Sequence, residues 1–261
     1  IQGCVDIADR YPDDLKLQQE ARTKIRTASG YLLNLVNDVL DMNKLESGNI
    51  QLERKHFNLL EVLHNTNEII RVQANESGVN YYVEDGEIIH TQLIGSPVHF
   101  QQILMNIGSN AVKYNQDGGS VTVSCREVSY TDTTAEYELT CTDTGIGMSE
   151  EFQKKAFEPF AQEGQSARTK YAGTGLGLAI AKKLIELQGG TLFFESIQGK
   201  GTKFILRIPF EISAEEQEKK SHMYQNCSVE GVQVLLVEDN ELNMEIAEFL
   251  LKEEKMKVTK A

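Results

Sequence analysis

Asn106-Ile-Gly-Ser-Asn110-Ala-Val-Lys113-Tyr114 is the stretch on which the reading of this 261-residue chain turns. It lies in a segment that opens at Ser96-Pro97, with Ser as cap and Pro in the first helical position, and is expected to close at Gly118-Gly119. The predicted helix carries two stripes. Phe100, Ile103, Leu104, Ile107 and Ala111 recur at helical spacing and mark a core face. Gln102, Asn106, Asn110 and Lys113 form the second stripe. Asparagine is a poor interior helix former because its side chain competes for backbone partners. Two of them one turn apart on one face are an odd choice for plain structure. Neutral carbonyl oxygens beside a lysine can hold Mg2+ and polyphosphate together; a solvated amide face is the alternative.

Two glycine-rich motifs follow downstream. Asp143-Thr-Gly145-Ile146-Gly147 sits at the end of a predicted strand, where the glycines permit a tight turn and close approach of a ligand. An Asp held there accepts a hydrogen bond from an exocyclic amine, which would select adenine; an ordinary strand-end turn has the same composition. Gly173-Thr174-Gly175-Leu176-Gly177 opens a helix, and backbone amides at a helix N-terminus suit a phosphate. It is no Walker loop, since no Gly-Lys-Ser/Thr follows, and no dinucleotide fingerprint, since Leu178 stands where glycine is required. The polar loop 158–172 between the motifs, with Glu163, Arg168 and Lys170, reads as a lid or as a plain surface loop.

Around this centre the chain divides into four parts. In residues 1–48, Ile25, Ala28, Leu32, Leu35, Val39 and Met42 alternate at spacings of three and four, the seam of a bundle, with Val36 and Leu40 widening it. Residues 1–10 form the end of an earlier helix, and Tyr11-Pro12-Asp13-Asp14 turns between the two. A homodimer through the 13–46 helix would complete a four-helix bundle; a helical hairpin packed on the rest of the chain is the bland alternative. Residues 49–211 read as α+β, with strands near 50–57, 79–84 and 90–95, a hairpin over 121–142, helices over 58–75 and about 176–188, and a closing hairpin turning at Gly199-Lys200-Gly201. Residues 212–230 are a polar linker. At 231 a short apolar strand leads into Glu238-Asp239-Asn240, then a helix and a second strand, too little for a complete sheet.

Composition excludes several classes. The net charge of −13, from 39 acids and 26 bases, gives no general pull on nucleic acid or anionic lipid. No apolar run approaches the roughly 20 residues of a membrane helix. Cys4, Cys125, Cys141 and Cys227 are scattered and read as free thiols in a reducing compartment, the cytoplasm. The chain starts at Ile1, as expected of a processed product or a fragment.

The order of the motifs decides more than any one of them. Asn106-x-x-x-Asn110-Ala-x-Lys113-Tyr114, then Asp143-x-Gly145-x-Gly147, then Phe157-Glu-Pro-Phe160, then Gly173-x-Gly175-x-Gly177 resembles the ATP-binding domain of sensor histidine kinases, over about residues 49–211. Asn37-Asp-Val-Leu-Asp-Met-Asn-Lys-Leu-Glu-Ser-Gly48 is similar to the junction after that family's second dimerisation helix. Val234-Leu-Leu-Val-Glu-Asp-Asn240 is similar to the first strand and acidic pair of a receiver domain, so the whole resembles a piece of a hybrid histidine kinase.

The resemblance implies a two-layer α/β sandwich holding ATP. Asn110 with Asn106 would hold Mg2+ on the phosphates, while Lys113 and a lid cation, Arg168 or Lys170, would balance phosphate charge. Tyr114 would contact the adenine that Asp143 reads, and residues 173–177 would wrap the phosphates. Glu238 and Asp239 would be part of an incomplete receiver metal site. The reaction implied is transfer of the γ-phosphoryl group to a histidine and onward to a receiver aspartate.

None of the five histidines (His56, His64, His90, His99, His222) has the context of the family's acceptor, and the receiver's acceptor Asp would fall beyond Ala261. Where the family has Asp-Pro, this chain has Ser96-Pro97, and a basic position is His99. ATPases of the same fold, of the gyrase B, MutL and heat-shock chaperone type, place a Glu one turn before the metal-binding Asn. Here that residue is Asn106, no general base at neutral pH, which favours transfer over hydrolysis. A nucleotide-binding scaffold is the non-enzymatic alternative.

Overall fold

The two N-terminal helices are set by their turn. Helix α1 (Gln2–Arg10) ends before Tyr11, and the side chain of Asp14 accepts a hydrogen bond from the Leu17 amide at 3.0 Å to start the 32-residue α2 (Leu15–Glu46). Gln18 fastens the hairpin, its Nε2 donating to the Ala8 and Tyr11 carbonyls. Beyond α2, Gly48 takes a φ of +68° and stops the helix. The apolar seam of α2 divides along its length. Leu32, Val36 and Leu40 are exposed, whereas Met42 and Leu45 are buried in the core of the layer that follows.

The computed structural model describes residues 1–48, 50–163, 174–213, 231–237, 241–253 and 255–260, and the chain divides into two units, 1–214 and 215–261. In the first, seven strands form one sheet: β1 (Lys55–Asn58), β2 (Asn80–Glu84), β3 (Gln92–Gly95), β4 (Ser120–Tyr130), β5 (Thr134–Asp143), β6 (Thr191–Ile197) and β7 (Gly201–Ile212). Their order is β1-β3-β7-β5-β4-β2, and β6 also pairs with β7. Every pair is antiparallel except β2–β4. The long β7 is the hub, pairing with β5 along its length, with β6 over residues 201–207 and with β3 at Glu211 and Ile212.

Helices α3 (Leu59–Glu76), α4 (Pro97–Lys113) and α6 (Gly177–Leu187) cover one face, and a single turn, α5 (Glu150–Gln153), lies between β5 and α6. The core holds Phe100, Ile103, Ile180, Leu184 and Ile185 from the helices against Tyr137, Leu206, Ile208 and Phe210 from the sheet. Phe210 takes Phe57 and Phe100 edge-on at 5.3 and 5.2 Å between ring centroids. On the opposite face Glu138 accepts from Arg126 on one oxygen and from Arg207 on the other, a ladder across three strands that holds its carboxyl below the usual range.

Two local expectations are corrected. Ser96 occupies the cap position of α4 but makes no side-chain cap; its Oγ lies 2.6 Å from Nδ1 of His99. And α4 ends at Lys113, short of Gly118-Gly119. Asn115 turns the chain early: its Nδ2 donates to the Ser120 carbonyl and its Oδ1 accepts from the Gln116 amide. The glycines instead lead into β2 and β4, with Gly118 N donating to Gly78 O and Asn80 N to Gly119 O.

In the second unit, β8 (Gln233–Leu236) and β9 (Lys257–Lys260) are parallel, with Val234 opposite Val258, and α7 (Glu241–Glu253) connects them. Glu248 of α7 pairs with Lys252 and Lys260. Glu238, Asp239 and Cys227 lie outside the described residues, among which Cys4, Cys125 and Cys141 are free thiols. No helix among the described residues is long and apolar enough to cross a membrane.

Candidate functional site

A cleft of about 660 Å³ opens between α4, the end of β5 and the start of α6. Its wall on α4 is the polar stripe, with Gln102, Asn106, Asn110 and Lys113 all lining it, along with Tyr114 just past the helix end. Of the apolar stripe, Phe100, Ile103 and Ile107 are buried on the sheet side, Leu104 is half-buried, and the buried Ala111 also borders the cleft. The helical period thus separates a face that holds the fold from a face that meets the cleft.

Asp143 closes β5 at the floor, with 7% of its surface exposed. Its Oδ1 accepts two backbone hydrogen bonds, from Gly145 N at 2.8 Å and Thr202 N at 3.2 Å. Both end on the same oxygen, which leaves Oδ2 for a ligand. Burial pushes the carboxyl up to about 6 against the pull of these two amides. Thr202 sits on β7, fifty-nine residues from Asp143, and donates through its backbone, so no side-chain pattern announced it.

The turn after Asp143 is close-packed. Gly147 has a φ of +62°, and a Cβ there would lie 2.1 Å from the Ile197 carbonyl oxygen. Ile146 lines the cleft, and its amide donates to the Tyr114 carbonyl, joining this turn to the end of α4. Gly145 lies against the same carbonyl.

Opposite, Thr174, Gly175 and Gly177 line the cleft, whereas the side chain of Leu176 is fully buried in the core and serves packing. The Leu176 amide donates to Thr174 Oγ1 at 3.2 Å. Gly173, Arg168 and Lys170 lie outside the described residues.

Charge and polarity along α4 are graded. Burial lowers the Lys113 ammonium, whose Nζ lies 4.7 Å from the ring centroid of Tyr114. Burial raises the Tyr114 phenol, with the nearby Glu163 charge adding to it. Asn106 Nδ2 is buried with no hydrogen-bond partner among the described residues, an amide kept for something that enters the cleft.

Sequence reasoning missed the contribution of α2. Asn34, Asn37, Asp38 and Asp41 line the cleft from the helix side. Asp38 accepts from Thr174 Oγ1 at 2.7 Å and Asp41 from Gln102 Nε2 at 2.8 Å. The heptad seam drew attention to the apolar positions of α2 and away from these.

A buried carboxylate read against a polar helix face and a glycine-rich helix start defines the class. Residues 95–212 match the family described as histidine kinase-, DNA gyrase B-, and HSP90-like ATPase. The matched stretch runs from the end of β3 to the end of β7. Within that class the relatives are hybrid and sensor histidine kinases. The chain is 34% identical over 219 residues to hybrid signal transduction histidine kinase A of Dictyostelium discoideum, covering 80% of this chain and 10% of that protein. It is 30% identical over 268 residues to the autoinducer 2 sensor kinase/phosphatase LuxQ of Vibrio harveyi, covering 99% and 31%. Full-length ShkA, solved in complex with AMPPNP, shares the fold at a TM-score of 0.61 and 24% identity, over 94% of this chain and 48% of that one. The chain therefore spans between 10% and 31% of the length of these curated relatives.

Proposed function

We propose that this chain is the ATP-binding core of a hybrid sensor histidine kinase, acting in the cytoplasm and passing the γ-phosphoryl group of ATP to a histidine and then to a receiver aspartate. The observation that carries the reading is Asp143, its Oδ1 pinned by two amides and its Oδ2 left to accept from the adenine amine. Asn106 in place of a glutamate supports transfer over hydrolysis, since an amide cannot take a proton from water at neutral pH.

In this reading Tyr114 flanks the base, Lys113 neutralises phosphate charge, and the backbone from Gly173 to Gly177 wraps the phosphates, with Arg168 or Lys170 as further cations. The unpartnered, buried Nδ2 of Asn106 can donate to a phosphate oxygen, while the side-chain carbonyl oxygens of Asn106 and of Asn110 one turn on would be the ligands for Mg2+ on the phosphates. Bound there, the ion would screen the charge that builds on the phosphates. During transfer the bond from the γ-phosphorus to its bridging oxygen breaks, a bond to the acceptor imidazole nitrogen forms, and ADP leaves. The chain's own residues position the nucleotide and balance charge. Glu238 and Asp239 belong to the receiver that takes the group next.

Asn110→Ala should slow transfer to the histidine of a separately supplied, intact dimerisation domain roughly a hundredfold, followed with γ-labelled ATP. The chain alone should acquire no acid-labile, base-stable label. Normal transfer by Asn110→Ala would remove Asn110 from the site, and such label on the chain alone would overturn the assignment of the acceptor to another segment.

Dimerisation through the 13–46 helix is the second part of the reading, supported by the exposed Leu32, Val36 and Leu40. Leu32→Asp should convert a dimer to a monomer in light scattering, because it sets like charges across a two-fold seam. It should leave ATP affinity unchanged. Identical masses for both proteins, monomeric even at high concentration, would exclude this seam.

A further inference from the structure

We propose that Asp38 and Asp41 of α2 form a latch on the cleft that the phosphates of ATP release. The inference rests on the nucleotide reading above and adds a regulation to the same site.

Thr174 has one hydroxyl proton, and it is donated to Asp38 Oδ2 at 2.7 Å. The same hydroxyl oxygen accepts from the Leu176 amide. Asp38 therefore fixes the rotamer of Thr174, and Thr174 in turn occupies an amide at the start of α6, one of the unpaired donors that a helix N-terminus offers to an anion. One turn along α2, Asp41 accepts from Gln102 Nε2, on the polar face of α4. Two carboxylates three residues apart on one helical face thus tie α2 to both walls of the cleft. Asn34 and Asn37 extend the same face along the cleft.

A polyphosphate entering between α4 and α6 competes with Asp38 for the Thr174 hydroxyl and the Leu176 amide. It also brings like charge against Asp38 and Asp41 in a cleft partly withdrawn from water, where repulsion is poorly screened. Phosphate binding and the docked position of this part of α2 are therefore antagonistic. The coupling is reciprocal: docked α2 weakens ATP, and ATP frees α2. Met42 and Leu45, buried in the core just beyond the two aspartates, hold the base of the helix.

The test compares ATP with adenosine, which fills the base pocket and carries no phosphate. In titrations of the full chain, Asp38→Asn should bind ATP roughly five- to tenfold more tightly than wild type. Adenosine affinity should be equal in the two proteins. Equal or weaker ATP binding by Asp38→Asn overturns the latch while leaving the ATP site standing. A parallel change for adenosine also overturns it, because Asp38 would then act on the shape of the pocket. A wild-type chain that binds neither molecule refutes the nucleotide reading itself.

Discussion

Asp143→Asn should weaken ATP binding roughly 30- to 100-fold without unfolding the domain. The amides of Gly145 and Thr202 both donate to Oδ1, so the carbonyl oxygen of an asparagine is held in that position. Its NH2 group then replaces Oδ2 and faces the amine of adenine, donor against donor. Calorimetric titration of the two proteins decides it, and equal affinities would remove Asp143 from base recognition.

The pH dependence has a direction that follows from the raised carboxyl. On the proposed reading the ionised form accepts from the adenine amine, so ATP affinity in the wild type should fall as pH drops through about 6. Stability runs the other way. A carboxyl raised in the folded state favours folding when protonated, and its contribution is lost as pH rises from the ordinary 3.8 to about 6. Asp143→Asn removes that loss and should melt no lower than wild type at pH 7. A variant that binds poorly yet is no less stable marks a residue kept for its ligand.

Gly201→Ala is expected to be the most damaging single substitution in the sheet. Gly201 has a φ of +109°, and a Cβ there would lie 1.9 Å from the Asp143 carbonyl oxygen. Both are backbone constraints that no side-chain rotation relieves. The cost should be about 3 kcal/mol or more, a fall in melting temperature of roughly 6–12 °C, together with loss of ATP binding as Asp143 and Thr202 separate. Gly199→Ala is the control. Gly199 also has a positive φ, +80°, but nothing lies within 4 Å of its Cβ position. It should cost about 1 kcal/mol and leave ATP affinity unaltered. Similar melting curves for the two variants would show that the contact with Asp143 is slack.

What could be read from sequence was what is local and periodic. The two stripes of α4, the β4–β5 and β6–β7 hairpins and the turn at residues 11–14 follow from side-chain spacing and turn chemistry within a few residues. Three things escaped. Asn115 ended α4 before the glycines because its side chain found partners that propensity does not foresee. Thr202 supports Asp143 through a backbone amide, which any residue at that position would supply. The Asp38–Thr174 bond spans 136 residues, and its two ends meet only because Met42 and Leu45 seat α2 on the helical layer. Long-range pairs of this kind depend on the completed packing.

Asn106 has a consequence for time. On the proposed reading, a nucleotide bound beside Asn106, where an ATPase would place a glutamate, would persist until it dissociates or meets an acceptor. Occupancy in the resting protein is then governed by association and dissociation, with almost no consumption of ATP. On that reading the nucleotide would stay intact in the interval before an acceptor is presented, and transfer would begin from a loaded state. Delay would then be set by how quickly the acceptor arrives, so the speed of transfer and the idle use of ATP would be independent of each other.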